Sequence, residues 1–351
     1  MDLPASEAEW RSVLRLASRH LVTPFLRWAF REQGLTSGVP PDVLEFLEAV
    51  YALNLDSNLR TEDQLVHLIR ELNQIGVRPL LLKGAVTLVS GLYPTPGERM
   101  IGDIDVLIPP SKLAEVVEHL RLVGYQPAEA EKELLDPENL KFHHYPRLYS
   151  NNWPAPVELH VRPVHRSVAQ VLGGEELFRD ATLSNWREGR CFLPSPTHFM
   201  LHNVTHAFLT DYRRGFLSIR QLFEFVYACR TWAVRIDWGL IEERLDTLGY
   251  GGDLRSYVAL ANAYFGFRMP SSLTRSRWDP LRRRLYRLQL EHPATVFLFS
   301  LVRLIQILES ILRTRAHALV NNPQPMKELF RLRNYMWVYQ EVKSVFRWVH
   351  R

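Results

Sequence analysis

"MIGDIDVLIP", residues 100–109, sets two carboxylates into an apolar run that otherwise reads as a buried β-strand. Side chains two positions apart on a strand share a face, so Asp103 and Asp105 form one concentrated negative site. An unpaired charge buried there costs on the order of several kcal/mol. The pair therefore wants a cation, and the neighbouring segments show which chemistry would supply one.

Upstream, "PLLLKGAVTLV" (79–89) is a strand that ends at Lys83 and Gly84, with a helix starting at once. The first backbone N–H groups of such a helix form an anion site, glycine permits close approach, and the lysine adds a movable positive charge. Downstream, Glu158 in "PVELHVRP" (156–163) sits between Val157 and Leu159 on another strand, where its face can coincide with that of the aspartates. Three carboxylates on one face suit two Mg²⁺ ions, with Mn²⁺ as the alternative, because such ions take oxygen ligands and keep water and phosphate oxygens in their shells. A phosphate cradle beside a divalent-cation site is what phosphoryl transfer needs.

The periodicity around this block predicts an α+β protein in three regions. Residues 1–75 are helical, with apolar residues recurring at three and four and Gly76 as a stop. Residues 76–165 form a small mixed-sheet core: "VRPLLL", a short helix ended by "PTPG", the Asp-x-Asp strand, then "SKLAEVVEHLRLVGY" with Ser111 as N-cap and Gly124 as stop. A hairpin of "KFHHYPRLYS" and "APVELHVRP" extends the sheet. Residues 166–351 read as a helical domain, broken at "GYGG", "RMPSS" and "NNPQP".

Lys-Gly-Ala opening a helix, Arg99 ahead of Asp-Ile-Asp, and a later Glu-Leu-His resemble the nucleotidyltransferase superfamily typified by DNA polymerase β. More narrowly, the chain resembles the bacterial uncharacterised nucleotidyltransferases, which also carry a helical C-terminal half with a segment like "IDWGLI" (236–241). The resemblance implies that Asp103, Asp105 and Glu158 hold the metals and that Gly84, Ala85 and Lys83 receive the phosphates of an NTP such as ATP. It implies that Arg99 neutralises phosphate charge or braces the aspartates, while His160 orients Glu158 or touches the acceptor. The chain departs from the superfamily pattern in having Lys83, Gly84 and Ala85 where Gly-Ser is usual. A hydroxyl is thereby replaced by an ammonium, which binds phosphate as a point charge.

Other histidines are weaker candidates. His202 and His206 in "HNVTH" have the spacing of metal ligands on a helix, but Asn203 stands where a zinc protease has glutamate, so a packed pair near the cleft is the expectation. His143 and His144 point to opposite faces of their strand, and His144 is the candidate for an acceptor contact.

Composition excludes several classes. With 46% hydrophobic and 11% aromatic residues in 351, the chain buries a sizeable core. Cys191 and Cys229 are the only cysteines, so there is no disulfide framework, and a reducing, cytoplasmic setting is expected. "MDLPASEAEW" lacks a secretory pattern, and no apolar stretch is long enough to span a membrane. In "PATVFLFSLVRLIQILESILRTRAHAL" (293–319), Arg303, Gln306 and Glu309 instead make one polar stripe of an amphipathic helix. Residues 271–351 carry a net charge of +10 and the first 270 carry −5. The arginines of "RSRWDPLRRRLYRL" (275–288) leave RNA open as a partner without favouring it. Two rival functions remain: an Asp-x-Asp glycosyltransferase using a nucleotide-sugar, and a non-catalytic nucleotide-binding or regulatory module. No motif names the acceptor, the base or the oligomeric state.

Overall fold

A computed structural model describes residues 3–128, 144–165, 168–207 and 218–266, together with 268, 284 and 288. His143, the arginine-rich segment apart from Arg284 and Leu288, and the 293–319 stretch lie outside the described residues. Two units are distinguished: residues 1–206 with 218–275, and residues 207–217 with 276–351. The sheet and the candidate site both belong to the first unit.

Three helices precede the sheet: α1 (Glu7–Arg19), α2 (Thr23–Glu32) and the 34-residue α3 (Pro41–Gln74). Ser6 and Glu9 close a capping box at the start of α1. Pro40 and Pro41 start α3, where a missing N–H costs nothing, and Gly76 (φ +72) ends it in the left-handed region, as expected. The next elements are β1 (Leu80–Leu81), α4 (Lys83–Ser90), β2 (Ile104–Leu107), α5 (Leu113–Leu122), β3 (Gln126–Pro127), β4 (Leu148–Tyr149) and β5 (Val157–His160). Ser111 does not cap α5, because a 3₁₀ turn over Pro110–Lys112 leads into the helix and moves the cap position to Lys112. Gly124 (φ +93) does end it.

After β5 come α6 (Gly174–Arg179), β6 (Thr182–Trp186), β7 (Gly189–Leu193), α7 (Pro196–Val204), α8 (Ile219–Thr231), α9 (Trp238–Thr247) and α10 (Gly251–Phe265). The strands make one seven-stranded mixed sheet in the order β3-β4-β5-β2-β1-β7-β6. β4 pairs antiparallel with β5, as the hairpin reading expects. The β6–β7 hairpin is new: it falls in the region read as helical, and β7 joins β1 in parallel, so the sheet continues past residue 165.

The core lies between this sheet and α3. Leu65, Leu68, Ile69 and Leu72 of α3 and Leu81, Ile104, Val106, Val157 and Leu159 of the strands have no exposed surface. Each such side chain contributes roughly 1.5–3 kcal/mol on burial. Polar residues of α3 fix the register of what packs on it. Gln64 exchanges two hydrogen bonds with the backbone of Ala155, just before β5, and Asn73 reaches Arg190 in β7.

Candidate active site

β2 and β5 run side by side in parallel with Asp105 opposite Glu158 and Leu107 opposite His160. Laterally paired residues of adjacent strands face the same way, so Asp105, Glu158 and His160 converge, and Asp103, two residues before Asp105, extends the same face. β1 is antiparallel to β2 on its other side and leads directly into α4, which delivers Lys83 to the cluster. Lys83 holds a left-handed backbone (φ +45), a conformation that costs a non-glycine residue about 1–3 kcal/mol.

The side chains form one charge-compensated network. Lys83 Nζ donates to Asp105 Oδ1 at 2.5 Å and stands 3.8 Å from Glu158 Oε2. His160 Nε2 lies 2.8 Å from Asp105 Oδ1 and 3.4 Å from Glu158 Oε2. Both neighbours are acceptors, so that nitrogen carries the proton. Arg147, beside β4, donates from Nε to Glu158 Oε1 at 2.6 Å and from a terminal nitrogen to Asp103 Oδ2 at 3.4 Å.

Burial opposes ionisation throughout, and the partners decide the outcome. Burial would raise the Asp105 carboxyl, but the Lys83 and His160 contacts hold it well below the usual range. Glu158 is lowered in the same way, chiefly through His160 and Lys83. For Asp103, burial and the neighbouring Asp105 win over Lys83 and push its affinity for a proton up. His160 and Lys83 are both raised, because their carboxylate partners outweigh desolvation.

Asp105, Glu158 and His160 offer ligand atoms that all lie within 4.8 Å of one another, so the group could hold a metal ion. Asp105 Oδ2 is buried without a hydrogen-bond partner among the described residues, which fits a carboxylate that serves a cation. A further group, Glu176, Asp180 and His198, meets the same distance test, but Arg244 already binds both oxygens of Glu176.

The remaining candidates divide. Gly84 lies against Arg99: a Cβ built on it would fall 2.6 Å from an Arg99 guanidinium nitrogen. That guanidinium forms a buried pair with Glu224 of α8 at 2.5 Å. The Ala85 N–H already donates to Leu82 O at 3.1 Å. His144 bridges to His160 across the strand edge, with ring centroids 5.4 Å apart. His202 donates to Pro163 O at 2.9 Å, and burial lowers its pKa to about 3. His206 contacts Gln221 at 2.9 Å, so the two histidines of "HNVTH" turn to separate protein partners.

Arg147 and Glu224 carry no signal in the sequence. Arg147 falls within the segment read as the first hairpin strand, one residue before β4, where nothing in its spacing points to the carboxylates, and Glu224 is 125 positions from its partner.

No helix among the described residues is long and apolar enough to cross a membrane. Comparison with curated proteins finds no match. The chain belongs to the uncharacterised nucleotidyltransferase family, whose sequence model matches residues 6–266 and so takes in every side chain of the cluster.

Proposed function

We propose that the chain is a metal-dependent nucleotidyltransferase of the polymerase β-like kind, moving a nucleoside monophosphate from an NTP to a hydroxyl acceptor and releasing pyrophosphate. The observation that carries this is the lateral pairing of Asp105 with Glu158 beside the lysine that opens α4, with Asp103 tied to Glu158 through Arg147. Asp103, Asp105 and Glu158 would hold Mg²⁺, or Mn²⁺ in its place, through oxygen ligands. Such ions neutralise phosphate charge and favour the ionised acceptor hydroxyl.

The chain's own groups do the rest. The first turn of α4 and Lys83 receive the triphosphate, with the Arg99 guanidinium adjoining Gly84. His160 donates to two of the carboxylates and holds them in place. The acceptor oxygen bonds to the α-phosphorus as that phosphorus separates from the bridging oxygen. The hydroxyl proton passes to a carboxylate of the cluster, and pyrophosphate leaves. The acceptor is a small molecule, a peptide or protein side chain, or an RNA end.

A second reading, a non-catalytic nucleotide-binding module, is favoured by one observation. Lys83, Arg147 and His160 compensate the carboxylates internally, so retaining them carries little stability penalty without a metal.

Thermal unfolding with Mg²⁺ plus each NTP, against Mg²⁺ plus UDP-glucose, tests both readings. The transferase reading expects an NTP-dependent rise in Tm that Asp103→Asn with Asp105→Asn removes, and pyrophosphate release once an acceptor-containing extract is added. Stabilisation without pyrophosphate release leaves the module. A shift with UDP-glucose alone leaves the glycosyltransferase.

A further inference from the structure

Three side chains hold the carboxylate cluster: His160, fully buried and fixed on Asp105 and Glu158, and two long cations that differ in how freely they can leave it. Lys83 bridges Asp105 and Glu158, at 2.5 and 3.8 Å. Arg147 bridges Glu158 and Asp103, at 2.6 and 3.4 Å. Each therefore does to a pair of carboxylates what a divalent ion would do. The Arg147 side chain is 45% exposed and can turn into water. The Lys83 side chain is 22% exposed and rests on an Asp105 side chain that is 1% exposed. Moving that ammonium away with nothing in return leaves two poorly solvated charges apart, the costly way to break an ion pair. Asp105 Oδ2, buried and without a hydrogen-bond partner among the described residues, marks an acceptor on the same carboxylate that Lys83 does not serve.

The geometry points to Lys83 as a resident cation that keeps a free divalent ion out and yields only when a nucleotide's phosphates offer the ammonium another anionic partner. The inference rests on the nucleotidyltransferase reading and deepens it: the chain takes metal and NTP together rather than each independently. Lys83 is itself the first residue of α4, so one flexible stem serves both the carboxylates and the helix end where phosphates would rest. Removing the ammonium should uncouple the two ligands.

The test is calorimetric titration of the full chain with Mn²⁺ in the absence of nucleotide, for wild type, Lys83→Met, Lys83→Gln and Arg147→Met. Wild type is expected to bind weakly, with Kd about 1 mM, the two Lys83 variants about tenfold or more tighter, and Arg147→Met within about threefold of wild type. Folded Lys83 variants that bind Mn²⁺ no tighter than wild type overturn the proposal. If neither variant folds, wild type decides. Saturable Mn²⁺ binding without nucleotide at Kd about 10 μM overturns it, whereas a Tm rise with Mn²⁺ and ATP together that exceeds the sum of the separate rises supports it. No stabilisation of wild type by any NTP with Mg²⁺ or Mn²⁺ removes the nucleotidyltransferase reading and this inference with it. NTP stabilisation with equal Mn²⁺ affinity in wild type and Lys83→Met removes only the coupling.

Discussion

At the scale of single residues, Gly84 is explained by its neighbour as much as by any ligand. The space its missing side chain leaves is filled by the Arg99 guanidinium and by Ile101, 2.6 and 3.3 Å from a built Cβ. Gly84→Ala should therefore displace Arg99, cost about 1–3 kcal/mol of stability by urea unfolding, and weaken the NTP-induced rise in Tm. An unchanged urea midpoint would mean that the guanidinium moves aside freely. Glu98 offers a pH-dependent counterpart. Burial raises its pKa to about 7, well above the ordinary carboxyl range. A group whose folded pKa is raised stabilises most below its unfolded pKa, near 4.5, and that contribution is lost as pH climbs through about 7. Glu98→Gln should abolish this loss, making the variant more stable than wild type above pH 7 by about 1–2 kcal/mol after allowing for solvent screening, with the gap closing towards pH 4.5. Urea midpoints measured across that range check it. The sequence makes the carboxylates legible because a two-residue spacing on a strand has one geometric meaning. Lys83 is legible only as a residue beside a helix start. Its seat on Asp105 depends on which strand β1 pairs with, and local sequence does not carry that.

At the scale of elements, α3 is the scaffold on which the loop before the Asp-x-Asp strand is set. Asn58 donates to Pro96 O and Arg99 O, both at 2.6 Å, and Asn54 donates to Gly97 O at 2.7 Å and Arg99 O at 3.1 Å. Two asparagines one helical turn apart thus saturate carbonyls that no strand partner serves. Asn58 has no exposed surface, so Asn58→Ala leaves those carbonyls short of a donor and should cost about 1–3 kcal/mol. It should also speed amide exchange at residues 97–99 more than in β2. Equal acceleration in both would point to global destabilisation instead. Helix ends at 76 and 124 are readable in this chain because left-handed glycines mark them, whereas α4 stops earlier than its expected end at "PTPG", because Gly91 (φ +61) already takes the left-handed turn. The β6–β7 hairpin is not: its first strand is mostly exposed and mixes polar with apolar residues, so no clean alternation announces it. Its turn uses Arg187 at φ +48 rather than the glycine or asparagine that usually signals such a bend.

At the scale of the whole molecule, one buried ion pair joins the helices after the sheet to the site. Arg99, between α4 and β2, and Glu224 of α8 have side chains 8% and 6% exposed and meet at 2.5 Å. Arg220, one turn earlier on α8, donates to Met100 O at 3.0 Å, so α8 grips the loop at two successive residues. A pair this buried contributes little net stability against well-packed apolar residues of similar volume, yet removing one partner leaves a buried charge uncompensated. Glu224→Gln should cost about 3–5 kcal/mol, and Arg99→Met with Glu224→Leu should recover most of it. The cycle separates architecture from chemistry, since the double variant regains its urea midpoint but lacks the guanidinium beside Gly84. If it also regains wild-type NTP stabilisation, Arg99 serves only to tie the helices to the sheet. If the fold returns and nucleotide binding does not, Arg99 belongs to the phosphate site and α8 is what holds it there.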